Sequence, residues 1–319
     1  MTRVLLLGAG FSKDWGGLLA NELSDRLIGH CLVHGDPVIR DAVWRHKKNF
    51  EDALAELRTT DADRALRLEE AISAVFDDMN RAFIDEHVPP FPLDHPTCAW
   101  LTRFDAIFTL NQDLLIEGSY IAREVALVST FPKWGGVAIP GMVPKPDVRR
   151  KPGDFTGTMI REDDLNCTVG HQPYYKLHGS TNWRNADGKQ MLVVGSNKRD
   201  QIAADPLFSH YKKQFDAYLA RDRCRLVVIG YGFRDGHINE AIERAAEGTD
   251  LKMFIVDPSG TEATRGEHQR IPWAVNAGVN SHDVPFQKII LGASTAPIRS
   301  TLEGKNGNEL RFINSFLES

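Results

Sequence analysis

Apolar residues follow two different rhythms along this chain. In one they form short unbroken runs that end in glycine or a polar group: Val4 to Leu7 before Gly8-Ala9-Gly10, Ala106 to Leu110 before Asn111, and Leu226 to Ile229 before Gly230. Continuous runs of four to six apolar residues bounded by turn formers predict strands buried on both faces, as in a parallel sheet. Further runs at Tyr174 to Leu177, Met191 to Val194, Leu251 to Val256 and Phe286 to Leu291 predict more strands. In the other rhythm, Leu54, Leu57, Leu66, Leu68, Ile72, Val75, Phe76 and Met79 recur at three- and four-residue steps among charges, the period of amphipathic helices. Helices are also predicted over Leu114 to Glu124, Pro206 to Ala220, Gly236 to Glu247 and Asn308 to Leu317.

Strands alternating with helices predict an α/β protein, a Rossmann-like doubly wound parallel sheet. The helical segment of about residues 15–98 separates the first strand from the second, so it reads as an inserted helical subdomain. Pro89, Pro90, Pro92 and Pro96 are expected to end it, because proline lacks an amide donor and disfavours helix in the residue before it. Residues of about 129–173 are rich in Gly and Pro with little periodicity, and predict a long irregular surface excursion. The whole of 1–319 is read as a single domain.

Composition narrows the function. A formal charge of −5 with scattered basic residues gives no electrostatic basis for nucleic-acid binding. The apolar opening after Met1-Thr2-Arg3 is too short for a membrane span and lacks a signal-peptide cleavage region, so a cytoplasmic protein without membrane attachment is expected. Cys31, Cys98, Cys167 and Cys224 include no CxxC pair, and His30, His34, His46, His87, His95, His171, His210, His268 and His282 show no ligand spacing, so no metal is expected.

Candidate chemistry sits where the apolar runs end. Gly8-Ala9-Gly10-Phe11-Ser12, between a strand and a helix, gives a backbone that can come close to a phosphate, with helix-end amides nearby. Lys13 stands where the full dinucleotide fingerprint has glycine, so an ordinary Rossmann dehydrogenase is not indicated. Asn111-Gln112-Asp113 and His178-Gly179-Ser180 each follow a strand. Either could be a structural turn or a satisfied histidine, but strand ends of one open α/β sheet converge on a common crevice. Asp235 reads as a helix N-cap, and His237 and Asn239 as capping and packing residues.

In order and context, Gly8-Ala9-Gly10-Phe11-Ser12, Thr109-Leu110-Asn111-Gln112-Asp113 and Leu177-His178-Gly179 resemble the anchors of the sirtuin (silent information regulator) superfamily. The stretch Gly230-Tyr231-Gly232-Phe233-Arg234-Asp235-Gly236-His237-Ile238-Asn239 looks like its divergent bacterial branch of antiphage NAD hydrolases. The resemblance implies NAD as substrate, with Asn111 and His178 at the reacting ribose. It implies that Gly8, Ala9, Gly10, Phe11 and Ser12 hold the pyrophosphate and adjoining ribose, and that Asp113 helps hold the carboxamide. Thr109, Gln112, Gly179 and Ser180 would line the same site, and Gly230, Gly232 and Asp257 would support the adenosine half. The paired zinc cysteines of the deacylases are missing, and Gln112 replaces their usual apolar residue, so lysine deacylation is disfavoured. By the same resemblance, the expected activity is NAD glycohydrolysis as the effector of abortive infection. The alternatives are deacylation, ADP-ribosyl transfer, or a non-catalytic module sensing NAD or ADP-ribose. A homo-oligomer is expected, with a separate sensor or an ATPase-type or Argonaute-type partner.

Overall fold

The computed structural model describes residues 1–46, 49–83, 90–91, 95–121, 134–144, 157–159, 165–195, 197–270 and 286–319. The first apolar run forms β1 (Thr2–Leu7), followed by the short helix α1 (Ala9–Lys13). The helical segment follows as α2 (Ala20–Gly29), α3 (Cys31–His34), α4 (Pro37–Arg45), α5 (Phe50–Thr60) and α6 (Ala62–Phe83). Then come α7 (Pro96–Leu101), β2 (Ala106–Thr109), β3 (Val137–Ala138), β4 (Met142–Pro144), β5 (Gly157–Met159), β6 (Gln172–Lys176), β7 (Gly179–Arg184) and β8 (Gln190–Leu192). The chain continues through α8 (Lys198–Ala204), α9 (Pro206–Leu219), β9 (Cys224–Ile229), α10 (Gly236–Gly248), β10 (Lys252–Val256) and β11 (Ile290–Ser294). It finishes with α11 (Ile298–Leu302) and α12 (Gly307–Glu318).

Seven strands form one parallel sheet in the order β11-β10-β9-β1-β2-β6-β3. From β1 the chain adds β2, then the edge strand β3, then β6 between them on one side, and returns to build β9, β10 and β11 on the other. This is the doubly wound arrangement, and its switch point lies between β1 and β9. The unbroken apolar runs reflect burial on both faces. Val4 and Leu6 pack with Phe208, Tyr211 and Phe215 of α9, whereas Leu5 and Leu7 pack with Phe11, Leu101, Ile313 and Leu317 on the other face. Strands β4, β5, β7 and β8 form a second sheet, of which the apolar pattern announces only β8, beside the strand expected at Met191 to Val194. The polar run Gly179 to Arg184 gives no apolar signal for its strand β7.

Helices α2 to α6 bury their own core of Leu23, Leu27, Ile39, Val43, Leu54, Leu57, Leu68 and Ile72, joined by Val194 from beyond β8. Arg58 donates a 2.9 Å hydrogen bond to the Val194 carbonyl at this junction. Several expectations need correction. Pro96 begins α7 rather than ending a helix, because the first helical position needs no amide donor. The strand expected over Phe286 to Leu291 lies at Ile290–Ser294, after a turn. The helix expected from Leu114 becomes a π-helical turn at Glu117–Ile121, and residues 122–124 fall outside the described ones. Within the supposedly irregular 129–173 region lie β3, β4, β5 and the start of β6. Pro89, Pro92, His87 and His282 lie outside the described residues.

Candidate active site at the switch point

The turn after β1 and the turn after β9 meet back to back. Gly8 donates to the Ile229 carbonyl at 2.9 Å, and Gly10 to the Gly230 carbonyl at 3.0 Å. A Cβ on Gly10 would lie 2.6 Å from the Gly230 Cα, and one on Gly230 would overlap the Gly10 Cα. Gly230 also has φ of +60°, a conformation that favours glycine. Packing between the turns therefore explains these glycines. The amides of Gly8, Gly10 and Phe11 are all spent on backbone carbonyls. Gly232, by contrast, is exposed, and a Cβ there would have only the Arg234 side chain within 4 Å.

Beyond β2, the backbone amide of Asn111 donates to Thr109 Oγ1 at 3.0 Å, and its side-chain amide donates to Ser12 Oγ at 2.9 Å. Gln112 reaches away, donating to the Val193 carbonyl at 3.1 Å, while its own carbonyl accepts from Ser180 Oγ at 3.4 Å. Asp113 Oδ1 accepts from the Leu115 amide at 3.1 Å, an Asx turn that starts the next helical turn. Beneath this loop, Lys176 and Glu117 form a fully buried ion pair at 2.6 Å. Lys176 Nζ also donates to the Asp113 carbonyl at 2.5 Å, and Tyr174 donates to Glu117 at 3.3 Å. Burial pushes the Glu117 carboxyl up, opposed by the field of Lys176. Asn80 of α6 accepts from the Leu114 amide and donates to Thr181 Oγ1, both at 2.9 Å, joining the helical segment to the loop and to β7.

Strands β2 and β6 are paired in register up to Thr109 and Lys176. Asn111 and His178 each lie two residues beyond that pair, on neighbouring strands of the sheet. His178 is buried, and its Nε2 lies 3.2 Å from Nε2 of His237, at the start of α10. Burial pushes both imidazoles down, His178 to about 3 and His237 to about 4. His237 is therefore a contact of the candidate site and not a helix cap. Asp235 stands at the N-cap of α10 as expected, but its carboxylate makes no cap hydrogen bond and pairs instead with Lys198 at 2.7 Å. Lys198 in turn pairs with Glu51 of α5 at 2.8 Å. Asn239 does serve packing. It accepts from Tyr231 at 2.9 Å and donates to the Phe233 carbonyl at 2.8 Å, bracing a loop in which Phe233 has φ of +51°.

Asp257 follows β10 and accepts from the Ser259 amide at 2.8 Å. Gly179 has φ of +73°, with the Met191 carbonyl where a Cβ would stand, so its glycine is required by the join between the two sheets. Other histidines have local structural work: His30 and His95 cap α3 and α7, and His46 pairs with Glu56. The four cysteines are free thiols, with Cys98 and Cys224 buried.

A Rossmann-like α/β sheet whose polar residues gather where the strand order reverses defines a class of proteins that bind ligands at that crevice. Residues 105–278 match the family model described as a SIR2-like domain, and the chain belongs to that family. Membership implies NAD-dependent catalysis in general terms. No curated protein matches the sequence. Among the described residues, no helix is long and apolar enough to cross a membrane.

Proposed function

We propose that the chain is an NAD glycohydrolase that releases nicotinamide and ADP-ribose, with Asn111 and His178 at the reacting ribose. The observation that carries this reading is the placement of Asn111 and His178 two residues beyond a register pair of adjacent strands, with Asn111 held by Ser12 of the glycine turn. In this reaction the bond from ribose C1′ to the pyridinium nitrogen breaks, nicotinamide departs with the bonding electrons, and water adds to the oxocarbenium-like carbon. The Asn111 amide orients that water, and its proton passes to His178 or to solvent. A buried, neutral imidazole leaves its lone pair free to accept a hydrogen bond from that water and places no positive charge beside the pyridinium and the developing ribosyl cation.

Around this centre, the turn of Gly8, Ala9, Gly10, Phe11 and Ser12 takes the pyrophosphate side, and Thr109, Gln112, Asp113, Gly179 and Ser180 shape the nicotinamide side. Gly230, Gly232 and Asp257 border the adenosine half. The biological reading is depletion of NAD as the effector arm of an antiphage system. In it the chain works as a homo-oligomer under a separate sensor, of ATPase or Argonaute type.

The test is the fate of NAD by chromatography with the wild type, Asn111→Ala and His178→Ala, alone and with extract from infected cells. Nicotinamide release by the wild type alone supports hydrolysis. NAD bound but intact under every condition would replace the enzyme with a sensing module, and acyl-lysine consumption or labelled protein would redirect the reading to transfer chemistry.

A further inference from the structure

His178, Asp235 and His237 each present one ligand atom within 4.8 Å of the other two. The two imidazole nitrogens, 3.2 Å apart, already have the spacing of neighbouring ligands on a tetrahedral ion, about 3.3 Å for bonds of about 2.0–2.1 Å. From this arrangement we infer that His178, His237 and Asp235 form a binding site for a divalent transition-metal ion such as zinc, held by two imidazoles and one carboxylate.

The chemistry of the surroundings fits. Both histidines are buried and kept neutral, the form that donates a lone pair to a metal. Asp235 would close by roughly 1.5 Å at most to complete a tetrahedral edge, within the reach of a side-chain rotation. Lys198 occupies Asp235 Oδ1, and a carboxylate has a second oxygen to offer. Lys198 lies between Asp235 and Glu51, so this group of three carries one net negative charge before any metal arrives. Two imidazoles with one carboxylate suit Zn²⁺, Co²⁺ or Ni²⁺ better than Mg²⁺ or Ca²⁺, which take oxygen-rich shells. With three protein ligands, a fourth position remains for water.

The consequence concerns the proposed reaction and rests on the role assigned to His178 there. A metal bound through Nε2 occupies the lone pair with which His178 would take a proton, so the loaded chain is an inhibited one. Zinc would thus act as a reversible brake rather than as a cofactor.

The experiment uses the full chain, stripped with a chelator, and titrated with Zn²⁺ by calorimetry and with Co²⁺ by visible absorption. Wild type is expected to take up one ion per chain and to give the intense visible bands of tetrahedral Co²⁺. His237→Ala and the more conservative His237→Gln are each expected to bind at least tenfold more weakly and to lose those bands, with circular dichroism checking that they fold. No uptake by wild type overturns the site and leaves the two histidines as a hydrogen-bonded pair. Uptake unchanged in both variants also overturns it, assigning the ion to surface groups. Nicotinamide release is then measured with and without Zn²⁺. Loss of turnover in wild type with a smaller fractional loss in His237→Gln supports the brake, and stoichiometric binding without inhibition overturns it. Should wild type release no nicotinamide at all, the proposed hydrolysis fails while the binding measurements still decide the metal site.

Discussion

Asn111 and Ser12, ninety-nine positions apart in the sequence, meet through a buried 2.9 Å hydrogen bond from the asparagine amide to the serine hydroxyl. The contact orients the Asn111 side chain from the turn that follows the neighbouring strand. Ser12→Ala is expected to cost about 1 kcal/mol of stability, the usual net worth of one hydrogen bond. It should also lower nicotinamide release by roughly tenfold through loss of orientation. Denaturant melts and a turnover assay on the same preparation check both.

Asn111→Ala and His178→Ala remove the proposed chemistry directly. Each is expected to lower nicotinamide release by about 10²-fold or more, the range for a positioned proton-transfer group. Equilibrium binding of NAD should weaken far less, because most of the contact surface stays intact. A comparable loss in binding would reassign these residues to substrate capture.

Gly230→Ala should be among the most damaging single changes outside the reacting centre. Its Cβ would run into the Gly10 Cα, and the residue would be held at φ of +60°. Left-handed backbone strain and overpacking together predict a loss of roughly 2–4 kcal/mol. Denaturant unfolding measures this, and a change under about 0.5 kcal/mol, the usual surface range, would mean that the two turns can separate without penalty.

Lys176→Met leaves Glu117 buried beside an apolar chain, and the expected loss is about 3–5 kcal/mol near neutral pH. Burial already holds the Glu117 carboxyl above its ordinary value, and losing Lys176 removes the main opposing field. A carboxyl raised on folding binds its proton more readily in the native state, so its favourable contribution is full at acid pH and disappears as pH rises. The deficit of the variant should therefore be smaller near about pH 4.5 than at about pH 7. Adding Glu117→Leu should recover most of the lost stability.

Glu51→Gln weakens the one member of the Glu51-Lys198-Asp235 chain that belongs to the helical segment. Faster amide exchange is expected in α5, with β1 and β9 unchanged. Exchange that stays the same in α5 would show that its apolar face alone anchors it, through Leu54 and Leu57.

Much of the sheet was legible because β1, β2 and β9 are buried on both faces, which writes their positions as unbroken apolar runs. The glycine turn and the strand-end residues Asn111 and His178 were legible for the related reason that polar groups interrupt those runs where the sheet ends. Strand β7 was not, since Gly179-Ser180-Thr181-Asn182 carries no apolar period and its pairing with β8 arises from tertiary contact. His237 was misread because its neighbourhood looks like a helix start, and nothing local indicates that His178, fifty-nine positions earlier, lies against it. Asp235 was placed rightly at the N-cap of α10, but nothing local indicates that Lys198 from another helix claims its carboxylate. Lys176 and Glu117 gave no signal, because a charged pair within an apolar neighbourhood reads as a solvated edge until the fold encloses it.

The back-to-back contact of Gly10 with Gly230 also bears on synthesis. Strand β1 is made long before one of its two flanking strands, β9, and before the turn that braces the glycine segment. A nascent chain therefore carries the first half of the crevice without the second, and the β1 turn has nothing to shape it until α10 has emerged. Under the proposed NAD hydrolysis, this order of assembly keeps incomplete polypeptides inert.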